Sequence, residues 1–561
     1  MPQPQQNISI QAPAFQGVNS EDSPLTQDPT FASRANNAVI DEFGRIGARK
    51  GFRNFVNAWN FPTVVPPVGA VRVESESYSM AHADGMKPIV GMHATWYDSG
   101  DVAVGSDYYF GLIDLATDEV EIIDIPAPHN VESCVKGQIL TFANDGKYYI
   151  FSDQPMLMVD PVAKTCTTMF SDAGWLPPQD DGQTYSTDMA GDVATAAYGR
   201  IWASGVGGDY QRIYYSSLEN PYWWYDGKAT PTHSQNTGGI IDVSQYWPTG
   251  TDRIVAIKAH NNMLIVFGRN SILLYGNPVG DPAAIGGIYL QDTIEGLGCI
   301  ARDALTSTGS DLLFVDDTGV RSLGRSIQEQ SVPVGDLTAN VRSDVAFFIQ
   351  QTADLDTISL NYWPQEGLTV LNFVQNKKAF VMDMKRPSST GGMRITTWTE
   401  HEWDRSLHVE DGVTDTVLLG ATDGTGVKEY RGYVDNVSDT YRFSYQSNPL
   451  TFGDSVRQKF PKRMDLTIVT RDAPVTAYAR WGAETLDYVK QLDIDSQLPG
   501  LYGLAQFGNS TYGQSADTIK RYRVNTKGSG AFVTLGVDAD INGGVFSLQE
   551  LNIQTLLGRI Y

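Results

Sequence analysis

Seven histidines, His82, His93, His129, His233, His260, His401 and His408, are the first place to look for metal chemistry. None sits in HExxH, the helical spacing that turns two imidazoles toward one zinc ion. His401 and His408 stand seven apart with Glu402 and Asp404 between them. In a strand or loop that spacing fixes no common face, so no metal site is expected. Cys134, Cys166 and Cys299 are odd in number, widely spaced and outside any CxxC. They are expected to be buried free thiols, as suits a reducing compartment during assembly.

Two other patterns touch on chemistry. Asp538, Asp540, Asn542 and Gly543 copy the opening of a calcium loop. The twelfth position should carry a bidentate Glu; it is Gln549, and Glu550 comes one residue late. The flanks read as strands, so Asn542-Gly543 is expected to be a hairpin turn. Arg200, Arg212, Tyr214 and Glu219 are the residue types of a sialidase-like site, but only nearness in sequence joins them. Thr397-Trp398 ends like an Asp-box without the preceding Asp and Gly. Glycoside hydrolysis needs two carboxylates at a set separation, and 65 acidic residues offer no means of choosing a pair. GxSxG, GxxxxGK[ST] and a helix-opening GxGxxG are missing from the sequence. No catalytic, cofactor-binding or metal residue is assigned, no cofactor is expected, and the chain reads as a non-enzyme.

The elements around these residues are strands. The 561 residues are rich in Gly, Tyr and Trp and sparse in charge, a mix that favours strands and tight turns over solvated helices. No run of about 18 apolar residues exists, so no membrane segment is expected. The opening MPQPQQNISI lacks the basic and apolar regions of a signal peptide, and Sec export is not expected.

Residues 1–37 are polar, Pro- and Gln-rich, and read as an extended N-terminal arm. Residues 38–74 hold a strand-like segment, Ala38 to Phe52, with a turn at Asp41-Glu-Phe-Gly44, then a connection containing Pro62, Pro66 and Pro67. From residue 75 to 438 one pattern recurs, two apolar strands around a polar turn. It runs Asp107–Ile125, Lys147–Pro161 (turn Ser152-Asp153), Arg200–Trp224 (Gly207-Gly208) and Met263–Pro278 (Arg269-Asn270). It continues through Asp311–Gly324 (Asp317-Thr318-Gly319), Leu368–Met384 (Gln375-Asn376) and Thr416–Gly432 (Asp423-Gly424). A hairpin is marginal alone, so these units must stack on one another. The expected fold is all-β, a β-propeller of about six to seven blades; a run of β-sandwiches is the competing architecture. Ala38–Phe52 is expected to close the ring. Residues 439–561 are expected to form a β-sandwich-like C-terminal domain, with strands at 464–470, 475–482, 518–526, 530–539 and 548–561 and a long Gly-rich loop at 495–514.

Charge is unevenly placed. Residues 440–561 carry 13 Lys/Arg and 11 Asp/Glu, while residues 1–439 carry 28 against 54. A protein that grips nucleic acid needs cations for the phosphates. This one would repel them, which suits either plain solubility or an acidic conduit to which passing DNA does not stick.

Two stretches carry a family likeness. One is Phe15-Gln16-Gly17-Val18-Asn19 followed, from Asn36, by Gly44-x-Ile46-x-x-Arg49-x-Gly51-Phe52. The other is Arg212-Ile-Tyr-Tyr-Ser-Ser-Leu-Glu-Asn-Pro-Tyr-Trp-Trp224, and the closing Leu556-Leu-Gly-Arg-Ile-Tyr561 adds to it. The chain resembles the tail nozzle proteins of short-tailed bacteriophages (podoviruses), the tail tubular protein B type, and packaged-DNA stabilisation proteins. Gln16 stands where that group has a first glycine. The resemblance implies a structural virion protein in the tail, assembled in the host cytoplasm. It implies a homohexameric ring below the tail adaptor protein, a channel for genome retention and ejection, and attachment of tail fibres or spikes. Double-stranded DNA would pass without specific binding. A receptor- or glycan-binding tail protein is the alternative, with Trp223, Trp224 and Tyr225 as candidate contacts, and a propeller glycosidase is the third.

Overall fold

A computed structural model describes residues 5–41, 43–55, 58–60, 69–126, 131–142, 145–168, 190–222, 224, 238–248, 250–279, 287–329, 336–410, 415–471, 473–484, 486–494 and 518–558. The fold is all-β, with three short α-helices at Val131–Val135, Leu323–Glu329 and Arg342–Gln351 and three single 3-10 turns among the described residues.

Seven small antiparallel sheets follow one another along the chain. The first holds Arg72–Ala81, Ile89–Tyr97, Ala103–Asp114 and Glu119–Asp124, with Ala58–Asn60 added in parallel on its last strand. The second spans Gln138–Thr141 to Thr165–Thr168, the third Val193–Ala197 to Gly239–Asp242, and the fourth Ala256–His260 to Tyr289–Glu295, each with four strands. The fifth has three strands, Leu305–Ser307, Leu312–Asp316 and Gly319–Ser322. The sixth runs from Ile358–Trp363 to Met393–Thr399. The seventh holds Trp403–Glu410, Asp415–Ala421 and Val427–Tyr430, completed by Phe52–Asn54 from the N-terminal region.

Each of the seven expected hairpins is present, and each supplies two neighbouring strands of one sheet. Turn chemistry explains this. Gly207 and Gly208 take φ of +63° and +81°, and Asp316 Oδ1 accepts from the backbone N–H of Thr318 and Gly319 at 2.7 and 2.8 Å.

The sheets are glued pairwise. Ile89, Phe110 and Leu112 of the first pack on Tyr148, Ile150 and Leu157 of the second. Tyr149 and Phe151 meet Ala194, Ile201 and Tyr214 of the third, whose Trp202 and Ile213 meet Leu264 and Leu273 of the fourth. Phe267 of the fourth lies 5.3 Å, ring to ring, from Phe314 of the fifth. Trp363 and Val370 of the sixth pack on Trp403 and Leu419 of the seventh, and Val409 and Leu418 of the seventh return to Val90 and Met92 of the first. Both faces of these strands are therefore covered. Tyr148–Phe151, Arg200–Ser204 and Leu368–Phe373 are buried at every position, which is why they show no apolar–polar alternation; Arg200, Ser204, Thr369 and Asn372 are buried polar members of these runs.

The C-terminal strands form two facing sheets. In one, Tyr441–Ser447, Val533–Ile541, Val475–Ala483 and Leu486–Ile494 lie side by side. In the other, Thr518–Asn525, Lys459–Arg471 and Val545–Leu557 do so. Phe443 and Phe546 meet across the interface at 5.2 Å. Alternation is visible in Val475–Ala483, where Val475, Ala477, Ala479 and Trp481 are buried.

The N-terminal region is woven through these layers. Gln5–Gln11 pairs along Val545–Leu557. Ala32–Asn36 pairs with Tyr441–Ser447 and touches Met393–Thr399 through Asn36 and Thr397, so the sixth small sheet and a C-terminal sheet form one nine-stranded sheet. Ala38–Phe52, expected as a single closing segment, divides. Ala38–Ile40 and Ile46–Ala48 form a hairpin on Val545–Leu557, and only the chain from Phe52 to Asn54 joins the seventh small sheet. Asn542-Gly543, expected as a hairpin turn, instead carries the chain from one C-terminal sheet to the other, because Val533–Ile541 and Val545–Leu557 pair with different partners. The expected loop at 495–514 and Pro62, Pro66 and Pro67 lie outside the described residues.

Candidate functional site

The strands that begin the small sheets touch one another in order. Arg72–Ala81 meets Gln138–Thr141, which meets Val193–Ala197, which meets Ala256–His260; Leu305–Ser307 meets Ile358–Trp363, which meets Trp403–Glu410, which meets Arg72–Ala81 again. Beside these strands lies a cavity of about 490 Å³. Its lining draws on all seven small sheets or the connections entering them, through Tyr78, Lys136, Asp192, Arg253, Arg302, Asp356 and Arg405.

The charged groups here are tied to each other. Arg302 donates from Nη1 to the Asp192 carbonyl at 3.0 Å and from Nη2 to the Lys136 carbonyl at 3.1 Å, and it pairs with Asp303 at 2.9 Å. Arg405 donates from Nη2 to Asp303 at 3.0 Å and to the Asp356 carbonyl at 2.9 Å, while its Nη1 lies 3.1 Å from Asp404 Oδ1. Asp303 thus sits between two guanidiniums. Burial works to raise its pKa, but Arg302, Arg405 and Lys258 outweigh burial and hold it well below the usual carboxylate range. Asp404 goes the other way: burial pushes it up to about 6, against the pull of Arg405. Asp356 is also raised, by burial and then by Asp354. Tyr210 donates to Asp192 at 2.7 Å, and burial with that bond lifts its pKa to about 12.

Chemically this array is a brace. Two arginines link carbonyls and carboxylates from the connections into the second, third, fifth and sixth sheets to the seventh, through Nη1 and Nη2 of Arg302 and Nη2 of Arg405. It also holds two carboxylates, Asp303 and Asp404, on one guanidinium with pKa values driven apart. A B-DNA duplex is about 20 Å wide, so this cavity is far too small to pass one.

A second constellation is Arg49, which is 1% exposed. Its Nη1 and Nη2 donate to both oxygens of Asp435 at 2.8 and 2.7 Å, and its Nε donates to Asn37 Oδ1 at 3.2 Å. The guanidinium lies over Phe52 at 3.8 Å and over Tyr441 at 4.1 Å. Tyr441 donates from its hydroxyl to the Arg49 carbonyl, and Asp435 also accepts from the Phe52 N–H at 2.9 Å. Asn37 donates to the Arg442 carbonyl at 2.9 Å and accepts from the Thr399 N–H at 3.1 Å. One hub therefore ties the N-terminal hairpin, the seventh small sheet, the sixth, and the C-terminal strand Tyr441–Ser447. Gly51 makes room for it: a Cβ there would lie 1.8 Å from the Val434 carbonyl oxygen. Phe52 enters an aromatic cluster with Trp398 at 5.7 Å and Trp403 at 6.0 Å.

The residues weighed from the sequence are dispersed. His401 is buried, stacked on Trp403 at 4.9 Å and edge-on to Phe52; burial pushes its pKa down to about 3. His408 lies in Trp403–Glu410 with Nε2 2.7 Å from Asp415. Cys134 and Cys299 are buried free thiols, and Cys166 is half-buried. Burial raises the three, to about 11 for Cys134 and about 12 for each of the others. Asp538 is bound to Arg442, Arg480 and Ser444, and Asp540 lies 3.4 Å from Arg442. Both belong to a strand, with no groups of metal-ligating side chains among the described residues. Arg200 donates to the Ser216 carbonyl, Arg212 pairs with Asp209 at 3.6 Å, Tyr214 is buried, and Glu219 holds a turn at φ +58°. None of the four lines the cavity beside Arg302 and Arg405. Trp398 and Trp224 are buried, while Trp223 and Tyr225 lie outside the described residues. No helix among the described residues is long and apolar enough to cross a membrane.

Sequence reasoning did not find Arg302, Asp303, Asp404 and Arg405. A signal existed. Asp252-Arg253, Arg302-Asp303 and Asp404-Arg405 are charged dipeptides standing just ahead of three of the seven hairpins, so aligning the hairpins would have stacked them.

No family model matches the chain, and no curated protein does. Solved structures with partial likeness include the extracellular domain of BT4673 from B. thetaiotaomicron, at 11% identity and a TM-score of 0.37 over 91% of this chain and 62% of that one. PorZ, a surface component of the type-IX secretion system of Porphyromonas gingivalis, gives 7%, 0.31, 63% and 44%. An exo-β-1,3-galactanase from Phanerochaete chrysosporium gives 9%, 0.23, 90% and 99%. The chain spans less than two thirds of the first two. Likenesses this weak carry nothing about activity.

Proposed function

We propose that the seven small sheets are the blades of one closed β-propeller, with Phe52–Asn54 as the strand that seals it, and that the chain is a structural virion protein, the tail nozzle or tail-tube component of a short-tailed bacteriophage. Its copies assemble as a homohexameric ring beneath the tail adaptor, and the genome passes through the channel between copies. The propeller's own centre is braced by Arg302 and Arg405 and is not the conduit.

The observation that carries this reading is the Arg49 hub. The residues that bear the family likeness, Arg49, Gly51 and Phe52, are spent on joining four parts of the chain and contribute nothing to the cavity. That is what a ring component under mechanical load requires, and it gives the motif a structural reason. The test is native mass spectrometry with negative-stain microscopy of the purified chain. A six-fold ring with a channel wider than about 20 Å is expected. A compact monomer at every concentration up to tens of micromolar would overturn the reading.

A second reading is favoured by Asp303 and Asp404 sharing Arg405 in the cavity, the layout of an acid–base pair. It makes the chain a glycan-binding or glycan-cleaving tail protein. Binding or turnover of a sialoside or polysaccharide panel that disappears in Asp303→Asn would favour it; an inactive panel would remove it.

A further inference from the structure

Two surface regions of opposite charge lie far apart in the sequence. The paired strands Lys459–Arg471 and Thr518–Asn525 together carry seven Lys/Arg and one acidic residue, Asp465. That one carboxylate is 5% exposed and is shared by Arg463 at 3.0 Å and by Arg521 and Arg523 at 3.3 Å each. Arg521 and Arg523 remain 59% and 63% exposed. Ile519 follows the same strand alternation and is 60% exposed. Thr518–Asn525 is also the last strand of its sheet among the described residues. A solvated strand end needs charge to deter stray pairing, but one or two lysines suffice for that. Glu550, across Thr467 from Arg521, is the nearest further acid, so positive charge still exceeds negative beside an exposed isoleucine.

The first small sheet is the converse. Between Arg72 and Asp124 stand two basic and eleven acidic residues. Toward the turn between Ile89–Tyr97 and Ala103–Asp114, Asp101 is 84% exposed and holds Arg72 at 3.0 Å, and Asp107, opposite Ala94 on the same hairpin, is exposed too. Val71 and Val102, 69% and 61% exposed, sit at the same end. Each region thus pairs an exposed aliphatic side chain with a surplus of one charge, and the two surpluses are opposite. Apolar contact with complementary charge around it is the make-up of a protein interface, and charge of this kind fixes the register and the partner.

We propose that these two regions bind each other between copies of this chain, the Arg521/Arg523 strand of one copy docking on the Asp101/Asp107 end of the next. Because the two surfaces differ, the contact is head-to-tail, and head-to-tail contacts close into rings when the rotation between copies permits. This inference rests on the ring assembly proposed above and assigns its contact. It also uses the uneven charge: the acidic excess of the first part meets its counterpart on the C-terminal domain.

The experiment is charge reversal in the full chain, read by native mass spectrometry and light scattering at low and high salt. Arg521→Glu with Arg523→Glu is expected to weaken assembly by about tenfold or more, and so is Asp101→Arg with Asp107→Arg. Wild-type assembly is expected to weaken from 50 mM to 500 mM salt, as screening requires (roughly 14 to 4 Å of Debye length). Mixing the two variant chains is expected to restore assembly, since each then offers the other a complementary surface. Circular dichroism and melting checks exclude misfolding; should the glutamate variant misfold, Arg521→Gln with Arg523→Gln takes its place, and the aspartate variant stands independently at an exposed strand end. Assembly unchanged by both reversals overturns this contact and leaves the ring reading intact. A wild-type chain that stays monomeric overturns both.

Discussion

Replacing Arg49 by alanine removes the hub. The pair with Asp435 is bidentate, and the two side chains are 1% and 19% exposed. Breaking one partner of a buried pair costs about 3–5 kcal/mol, and the partial exposure of Asp435 lowers that to roughly 2–4. Two ring contacts add about 0.5–1 kcal/mol each. A loss of about 3–6 kcal/mol follows. It should appear first at the joint, because the pairing of Phe52–Asn54 with Val427–Tyr430 depends on Phe52, which shares Asp435 with Arg49. Urea unfolding followed by tryptophan fluorescence is the assay, since Trp398 and Trp403 both touch Phe52. Arg49→Lys keeps the charge but not the planar fork, and should recover only part of the loss. A cycle with Asp435→Asn should return a coupling of about 1.5 kcal/mol or more. Arg49→Ala within about 1 kcal/mol of wild type, or an additive cycle, would refute the reasoning.

Three further outcomes can be checked by the same unfolding assay. His401 has a folded pKa near 3, below its ordinary 6.5, so the native state resists protonation; stability should be complete above pH 6.5 and fall as pH drops toward 3, by up to about 1.4 kcal/mol per pH unit, and His401→Phe should flatten that slope. Asp404 has a folded pKa raised to about 6, so its ionisation opposes folding above pH 6 and not below pH 4; Asp404→Asn should stabilise the protein at pH 7.5 and leave it unchanged at pH 4, as read from paired urea midpoints. Gly51→Ala drives a methyl into the Val434 carbonyl and should cost at least about 2 kcal/mol, seen as a lower melting temperature or as loss of soluble protein.

The small sheets were legible because each is announced locally. A hairpin needs only two short apolar runs and a turn that tolerates its geometry, and Gly207-Gly208, Asp316–Gly319 and Asp423-Gly424 supply that turn within a few residues. What was not legible is held together over hundreds of residues. Gln5–Gln11 is a polar strand whose partner begins more than five hundred residues later, and its own exposure pattern, with only Ile10 buried, leaves no periodic mark. Ala32–Asn36 joins two sheets through a single pair to Thr397, a contact that no local pattern encodes. Tyr441–Ser447 and Leu486–Ile494 were missed for a milder reason: each mixes polar residues into a sheet position, so neither reads as an apolar run.

The same reasoning explains why the motif is read incompletely as a structure. Gly44 to Phe52 looks like one strand with a turn ahead of it. Arg49 divides it, because a guanidinium with five donors cannot be buried in a sheet interior without acceptors on several sides. Asp435, Asn37 and the Lys50 carbonyl supply them, and they come from both sides of the joint. The chain before Arg49 therefore belongs to the C-terminal sheet, and the chain after it belongs to the seventh small sheet. Cavity chemistry follows a parallel logic. Arg302 and Arg405 reach carbonyls and a carboxylate of other segments, so their role exists only once the sheets are arranged around them. An acid-rich sequence with no ligand spacing hides such an array, since every member is ordinary alone and only Asp303, held between two arginines and drawn far from the behaviour of Asp404 beside it, marks where the charges converge.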